Sequence, residues 1–246
     1  MIYTIIHHPM EFIAILTAVP SESELILKQI KNVRNIKKSG KIISKGKFIN
    51  QNILLINTGI GKVNAAHSTT LILENYPVKC IINAGIGGAY PNSGLKIGDI
   101  AIALKEIYGD EGVISRTGWK DLKEIGIPLL QIVGKRYFNE FPLNHAARIP
   151  VNSGKGFQIK RGVFVTVSSV TGTHQRAVEL ESRFKAICEN MEGAAIAHIC
   201  AIYKVPLLEI RGISNIAGMR DKRRWNLRLA SENCQQAVLE IIPHLK

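Results

Sequence analysis

The chain has 246 residues, 46% of them hydrophobic and 6% aromatic, enough for one sizeable core of helices and strands. No apolar window reaches the ~18 uncharged residues of a membrane span, and His7, His8 and Glu11 break up the apolar start, which excludes a signal peptide and predicts a cytoplasmic protein with no membrane partner. A net charge of +13 invites nucleic acid, but the basic residues are scattered from Lys37 to Arg224 without aromatic-interleaved or zinc-finger patterns, so a solvated basic surface and no nucleic-acid partner are expected.

Phe12 to Thr17 reads as a first, buried strand, stopped by Pro20-Ser21. Ser21 with Glu24 has capping-box spacing and predicts a helix to about Val33. Lys41 to Ile49 and Asn52 to Asn57 predict two strands joined by a tight turn. Val63 to Tyr76 is helical by pattern and ends before Pro77; Val78 to Asn83 is a strand, followed by a glycine-rich turn at Gly85-Ile86-Gly87-Gly88. Gly98 to Ile107 predicts a strand, Lys120 to Gly126 a short helical stretch, and Gly134 to Ala147 a further helix interrupted by Pro142. Ile149 to Lys160 reads as a surface connection, Gly162 to Ser169 as a strand, His174 to Arg183 and Met191 to Tyr203 as helices, Leu207 to Gly212 as a strand, and Trp225 to Ile242 as a closing helix.

Strands alternating with helices predict a single domain over 1–246, a three-layer α/β/α sandwich around a mixed central sheet. Ligands bind at the carboxyl ends of strands in such sheets. Those ends are Thr17 to Glu22, Asn83 to Gly88, Ser168 to Thr173 and Ser214 to Gly218.

Cys80, Cys188, Cys200 and Cys234 show no CxxC spacing, and the seven histidines show no His-x-x-x-His, so no metal is expected. Gly212-Ile213-Ser214-Asn215-Ile216 lacks the second glycine of a nucleophile elbow. Thr58-Gly59-Ile60-Gly61-Lys62 is a poor phosphate loop, because its glycines are too close and no Ser or Thr follows Lys62; it reads as a structural turn. His198, on an Ala-rich apolar helix, reads as a core or interface histidine.

Met191-Glu192 opening an Ala-rich helix, and Arg211-Gly212-Ile213-Ser214-Asn215 after the next strand, resemble the nucleoside phosphorylase and nucleosidase family. So do Gly59-Ile60-Gly61-Lys62, Asn83 to Gly88 and Thr166 to Thr173, and the likeness runs from Phe12 to about Ala230. It implies a nucleoside phosphorylase-like fold, a small-molecule nucleoside substrate, no cofactor and a homo-oligomer. By that resemblance Glu192 binds the ribose hydroxyls and Met191 packs on the sugar. Gly87 lets the backbone approach the ligand, and Val170 and Thr171 lie along the base. A glutamate after the first strand activates water; Glu22 and Glu24 are both candidates, and the capping argument favours Glu22. Asn215 faces the purine as a catalytic group.

Phosphorylases of the family carry an arginine before the glycine segment and a Ser or Thr within it. Asn83 and Ile86 stand there instead. A phosphate dianion needs charge-assisted donors, so hydrolysis is expected. Asn215 offers an amide donor and a carbonyl acceptor but no titratable proton, which suits a 6-oxopurine. The stretch Ile97 to Gly112 and the Arg220-Asp221…Trp225 extension resemble the branch that cleaves a benzoate-bearing hypoxanthine nucleoside on a menaquinone route. There Arg220 or Arg116 pairs with the benzoate. The rivals are nucleosidases for 6-aminopurine nucleosides, a purine nucleoside phosphorylase, and a non-catalytic nucleoside- or nucleic-acid-binding protein.

Overall fold

The computed structural model describes residues 11–132, 134–143 and 156–245. Among them a ten-stranded mixed sheet runs through the molecule. Its centre is β1 (Phe12–Thr17), whose six residues are all buried. It pairs in parallel with β4 (Gln51–Asn57) and with β5 (Val78–Ala89). Parallel strands covered on both faces need continuous apolar runs, and Phe-Ile-Ala-Ile-Leu supplies one. β3 (Lys41–Phe48) and β2 (Lys31–Lys38) extend this half antiparallel to an exposed edge that carries lysines, the usual protection of an edge strand.

The other half closes on itself. β6 (Ile100–Tyr108), β12 (Ile159–Thr166), β13 (Ala186–Asn190), β5 and β14 (Leu207–Ile216) each pair with the next, and β14 returns to β6. The mixed sheet therefore curls into a ring of five strands, and one end of that ring holds the candidate site. β11 (Glu140–Pro142) adds to β6. Two small hairpins project from the sheet, β7 (Gly112–Ser115) with β8 (Gly118–Asp121), and β9 (Leu130–Ile132) with β10 (Lys135–Tyr137).

Helices cover both faces. α1 (Glu24–Gln29) packs on α5 (Leu227–Ile241), and α5 lies against β14 and β5. A side chain at Gly212 would overlap the Ala230 carbonyl, so α5 meets the strand backbone to backbone. α2 (Lys62–Asn75) packs on α4 (Gly193–Tyr203), and α3 (His174–Phe184) flanks β13. α4 is apolar nearly all round, as a helix buried between neighbours must be. α3 is amphipathic, opened by the Thr173 side chain accepting from the Arg176 amide and closed by Lys185 at φ 50°. No helix among the described residues is long and apolar enough to cross a membrane.

Several predicted elements are corrected. The helix expected to reach Val33 is a 3-10 turn, Pro20–Glu22, then the short α1, then β2. Ser23, not Ser21, precedes α1. The predicted turn at Gly85 to Gly88 is strand, because β14 and β13 pair with it. Lys120 to Gly126 is not helical: Lys120 and Asp121 pair with Val113 and Gly112 as the end of β8, and turns follow. The helix expected over Gly134 to Ala147 is replaced by β10 and β11, with Pro142 on the sheet edge where a missing N–H costs nothing; 144–147 lie outside the described residues, as does most of the connection predicted from Ile149. β13 was hidden in sequence, since its Ala-Ile-Cys-Glu-Asn carries buried polar residues. Met191 and Glu192 precede α4 rather than belonging to it.

Candidate active site

A cavity of about 390 Å³ opens where the ends of β1, β5, β13 and β14 meet. Glu22, Gly87, Val170, Met191, Glu192, Asn215 and Arg220 all line it, as do Ile60, Ile86, Glu189, Arg211 and Trp225. The loops predicted from strand ends thus converge on one place. A second cavity of about 570 Å³ shares Val19, Glu22, Ile86 and Leu227 with the first, so Glu22 stands in a wall common to both.

Glu22 is buried and held by the backbone. Its Oε2 accepts from the Ala18 and Val19 amides at 2.9 and 3.1 Å, and its Oε1 from the Ile86 amide at 2.9 Å. The 3-10 turn after β1 creates this arrangement, with Glu22 reaching back to the residue that precedes the turn. Glu22, rather than Glu24, is therefore the residue engaged by backbone amides. Glu24 is exposed at the start of α1 and is absent from this cavity. Burial pushes the Glu22 carboxyl up, against the pull of Arg211 and the Ile86 and Val19 donors.

Glu192 sits at the N-terminus of α4, where the helix dipole favours an anion. Its Oε1 accepts from the Gly61 amide at 2.9 Å, and its Oε2 lies 3.7 Å from Arg211 Nη1. The Gly59 to Lys62 turn supports this carboxylate: Gly61, at φ 92°, aims its amide at it, and Ile60 lines the cavity. Asn190 fixes the backbone beneath, its Oδ1 accepting from the Glu192 and Gly193 amides at 2.9 and 2.7 Å.

Asn215 stands after a bulge at Ser214 in the β14–β5 ladder, a device that re-aims a side chain. Its Oδ1 accepts from Ser214 Oγ at 2.8 Å and its Nδ2 donates to the Ile216 carbonyl at 3.2 Å. Gly88 is opposite Asn215 on one side and opposite Glu189 on the other. Residues level in a ladder share a face, and neighbouring strands are about 4.8 Å apart. Glu189 and Asn215 therefore face the same side across Gly88, where an added Cβ would lie 3.3 Å from Asn215 Nδ2.

Thr171 is buried and does not line the cavity. Its amide donates to Glu189 Oε1 at 3.0 Å and its hydroxyl to Glu189 Oε2, while the Tyr90 hydroxyl reaches the same oxygen at 3.3 Å. Burial raises the Glu189 carboxyl, opposed by the Thr171 donors. Glu189, Arg211 and the Gly61 amide are cavity or carboxylate partners that sequence reasoning missed. The signal that could have found Glu189 is a glutamate two positions before the Met191-Glu192 pair, at the end of an apolar segment.

The Arg220 guanidinium lies 5.0 Å over the Trp225 ring and borders the cavity. Arg116 is on the β7–β8 turn and does not line it. His198 stacks on Phe141 at 4.8 Å, and burial lowers its pKa. No group of three His, Cys, Asp or Glu among the described residues could hold a metal ion.

The model of the Phosphorylase superfamily matches residues 12–243. The futalosine hydrolase of Thermus thermophilus is 35% identical over 187 residues, covering 76% of this chain and 80% of that protein. The 5'-methylthioadenosine/S-adenosylhomocysteine nucleosidase of Bacillus subtilis is 27% identical over 236 residues, covering 95% and 99%. Among solved structures, the futalosine hydrolase of Helicobacter pylori superposes with a TM-score of 0.80 at 25% identity, over 96% of this chain and 99% of that one. The Neisseria meningitidis nucleosidase bound to methylthio-immucillin-A gives 0.80 at 25%, over 96% and 100%.

Proposed function

The chain belongs to the Phosphorylase superfamily and is a nucleosidase within it, and from that premise we propose that it hydrolyses futalosine, releasing hypoxanthine. The observation that carries this reading is the row Glu189–Gly88–Asn215. A 6-oxopurine presents an N1–H donor and O6 and N7 acceptors. Glu189 accepts from N1–H; the Asn215 amide donates to O6 or N7. A 6-aminopurine turns a lone pair at N1 toward the Glu189 carboxylate, which is repulsive and leaves buried polar groups unpaired.

Glu22 takes a proton from water as its oxygen forms a bond to the anomeric carbon and the bond to the purine nitrogen breaks. Glu192 holds the ribose hydroxyls and, with Glu22, supports the positive charge on the sugar. The purine leaves as an anion stabilised by the Asn215 amide, and is then protonated from solvent. Arg220, which borders the cavity, pairs with the benzoate in this reading. The Ile86 amide, which could serve phosphate, is already given to Glu22, and the three carboxylates in the cavity, Glu22, Glu189 and Glu192, oppose a dianion. Assembly as a homo-oligomer, checked by light scattering, belongs to the same reading.

A 6-aminopurine nucleoside as substrate is the second reading, favoured by the near-complete coverage of the methylthioadenosine/S-adenosylhomocysteine nucleosidases. Incubation with futalosine, its 6-amino analogue, inosine and methylthioadenosine, with and without phosphate, decides. Hypoxanthine released fastest from futalosine, independent of phosphate, is the expected result. Faster release of adenine from the amino compounds would favour the second reading.

A further inference from the structure

Behind the cavity lies a cluster of charge that the hydrolytic scheme does not use. Arg211, Glu209 and Glu106 are 1%, 0% and 0% exposed. Arg211 gives Nε and Nη2 to one oxygen of Glu209, at 3.1 and 2.9 Å. Its Nη1 points to the cavity, 3.4 Å from the Ile86 carbonyl and 3.7 Å from Glu192. A methyl on Gly85 would lie 2.8 Å from that nitrogen and 2.6 Å from Glu22 Oε1, so the same guanidinium edge also borders Glu22.

The second oxygen of Glu209 is buried and receives no hydrogen bond from an N–H or hydroxyl among the described residues. Glu106 meets it: a methyl on Gly193 would overlap Glu106 Oε1 and both oxygens of Glu209. Glu106 in turn accepts from Asn190 Nδ2 at 2.6 Å and Thr166 Oγ1 at 2.8 Å. Four carboxylates, those of Glu22, Glu106, Glu192 and Glu209, thus share the field of one guanidinium. Four negative charges in that volume are untenable beside a single positive one. A proton on Glu106 removes one charge and supplies the donor that the orphaned Glu209 oxygen lacks.

We propose that Glu209 is a positioning residue for hydrolysis: kept ionised by a proton that resides on Glu106, it holds and neutralises Arg211, so that Arg211 orients Glu192 without quenching the basicity of Glu22. Burial, then the charge of Glu209, drives Glu106 well above the carboxylate range; burial raises Glu209 too, against the pull of Arg211 and of the hydrogen bond from Glu106. Glu209 is faced by Arg211 on its own strand, Glu106 on β6, Glu192 at α4, and the thiols of Cys188 and Cys200 on β13 and α4. Glu22 is faced by Arg211, Glu192 and the Cys234 thiol on α5. Both thiols nearest Glu209 are raised by burial and stay neutral.

This rests on Glu22 as the base, so the test has a kinetic arm and an arm that needs no substrate. In Glu209→Gln the guanidinium loses its counterion and acts fully on Glu22. The acid limb of kcat/KM should move down by about one pH unit, and the plateau kcat should fall as the base weakens. Glu106→Gln exchanges one neutral group for another and should leave that limb in place. If Glu209→Gln does not fold, Glu209→Asp, which keeps the charge but withdraws it, should shift the limb the same way by less. An unmoved limb in the folded Glu209 variant, or an equal shift in Glu106→Gln, overturns the proposal. In the second arm, thermal unfolding is followed against pH. A carboxyl raised by folding contributes stability below its unfolded pKa and loses it as pH rises toward its folded one. Wild-type should lose stability across that window and Glu106→Gln should lose less; identical slopes place the proton elsewhere and also overturn it. If Glu22→Gln retains the wild-type limb while the unfolding arm behaves as stated, it is the assignment of Glu22 that fails.

Discussion

The Gly61 amide donates a 2.9 Å hydrogen bond to the carboxylate of Glu192, 131 residues further along the chain. The contact ties the turn before α2 to the mouth of α4, and it uses one oxygen of Glu192 while the other faces Arg211. A glutamine at 192 can keep the first bond but not the charge.

Glu192→Gln should therefore fold normally and lose about 10²–10³ in kcat, the scale of one transition-state electrostatic partner. Circular dichroism and steady-state kinetics on the cleaved nucleoside check it. Wild-type kinetics would make Glu192 only a helix-terminus acid.

The base should show itself in pH. Glu22 must be ionised to take a proton, so kcat/KM rises with pH through its pKa, and burial places that limb above the ordinary carboxylate range. Glu22→Gln should cost about 10²–10⁴ in kcat and abolish the limb. Exposed Glu24, replaced by Gln, should leave both rate and limb unchanged. The reverse pattern would transfer the role.

The central strands and long helices were legible because their apolar periodicity is strong: β1, β4, α2 and α5 fall close to where the pattern puts them. The site loops were legible because strand ends are fixed by the same pattern. What escaped was set by distant partners. Gly85 to Gly88 reads locally as a turn, yet β13 and β14 make it strand. Glu22 was preferred through a cap at Ser21 that does not exist; the amides of Ala18, Val19 and Ile86 engage it instead. Glu106 and Glu209 look like ordinary strand acids until the sheet closes and brings them together against Gly193.

That contact makes Gly193 a sensitive position. Gly193→Ala should be destabilising by several kcal/mol, as overpacking against buried charge is among the few mechanisms of large loss. Chemical denaturation measures it. A loss under about 1 kcal/mol, the centre of ordinary substitutions, would mean that the two carboxyls move apart freely.

Glu189→Gln tests the acceptor for N1–H. The amide can turn its NH₂ toward a lone pair at N1, so the ratio of kcat/KM for futalosine over its 6-amino analogue should fall about tenfold or more. Thr171→Val, which removes one donor to Glu189 but leaves the backbone bond, should lower the same ratio by less. An unchanged ratio in both would remove Glu189 from base recognition.

Asn215→Asp is the complementary test at the other end of the row. The amide donates to O6 or N7, whereas a carboxylate cannot donate and meets the O6 lone pairs with repulsion. Toward a 6-amino group the carboxylate is a good acceptor. Protonated, it can also donate to N7. The substitution should therefore depress turnover of futalosine and move the preference toward its 6-amino analogue. A full reversal is not expected, because Glu189 still disfavours an unprotonated N1 across Gly88. The double variant, Glu189→Gln with Asn215→Asp, should go further than either alone. Coupling is expected because both side chains meet one base. Measuring kcat/KM for both nucleosides with all four proteins separates the two contributions. Equal preference in the wild-type enzyme, or a ratio that Asn215→Asp leaves unmoved, would show that this asparagine does not read position 6.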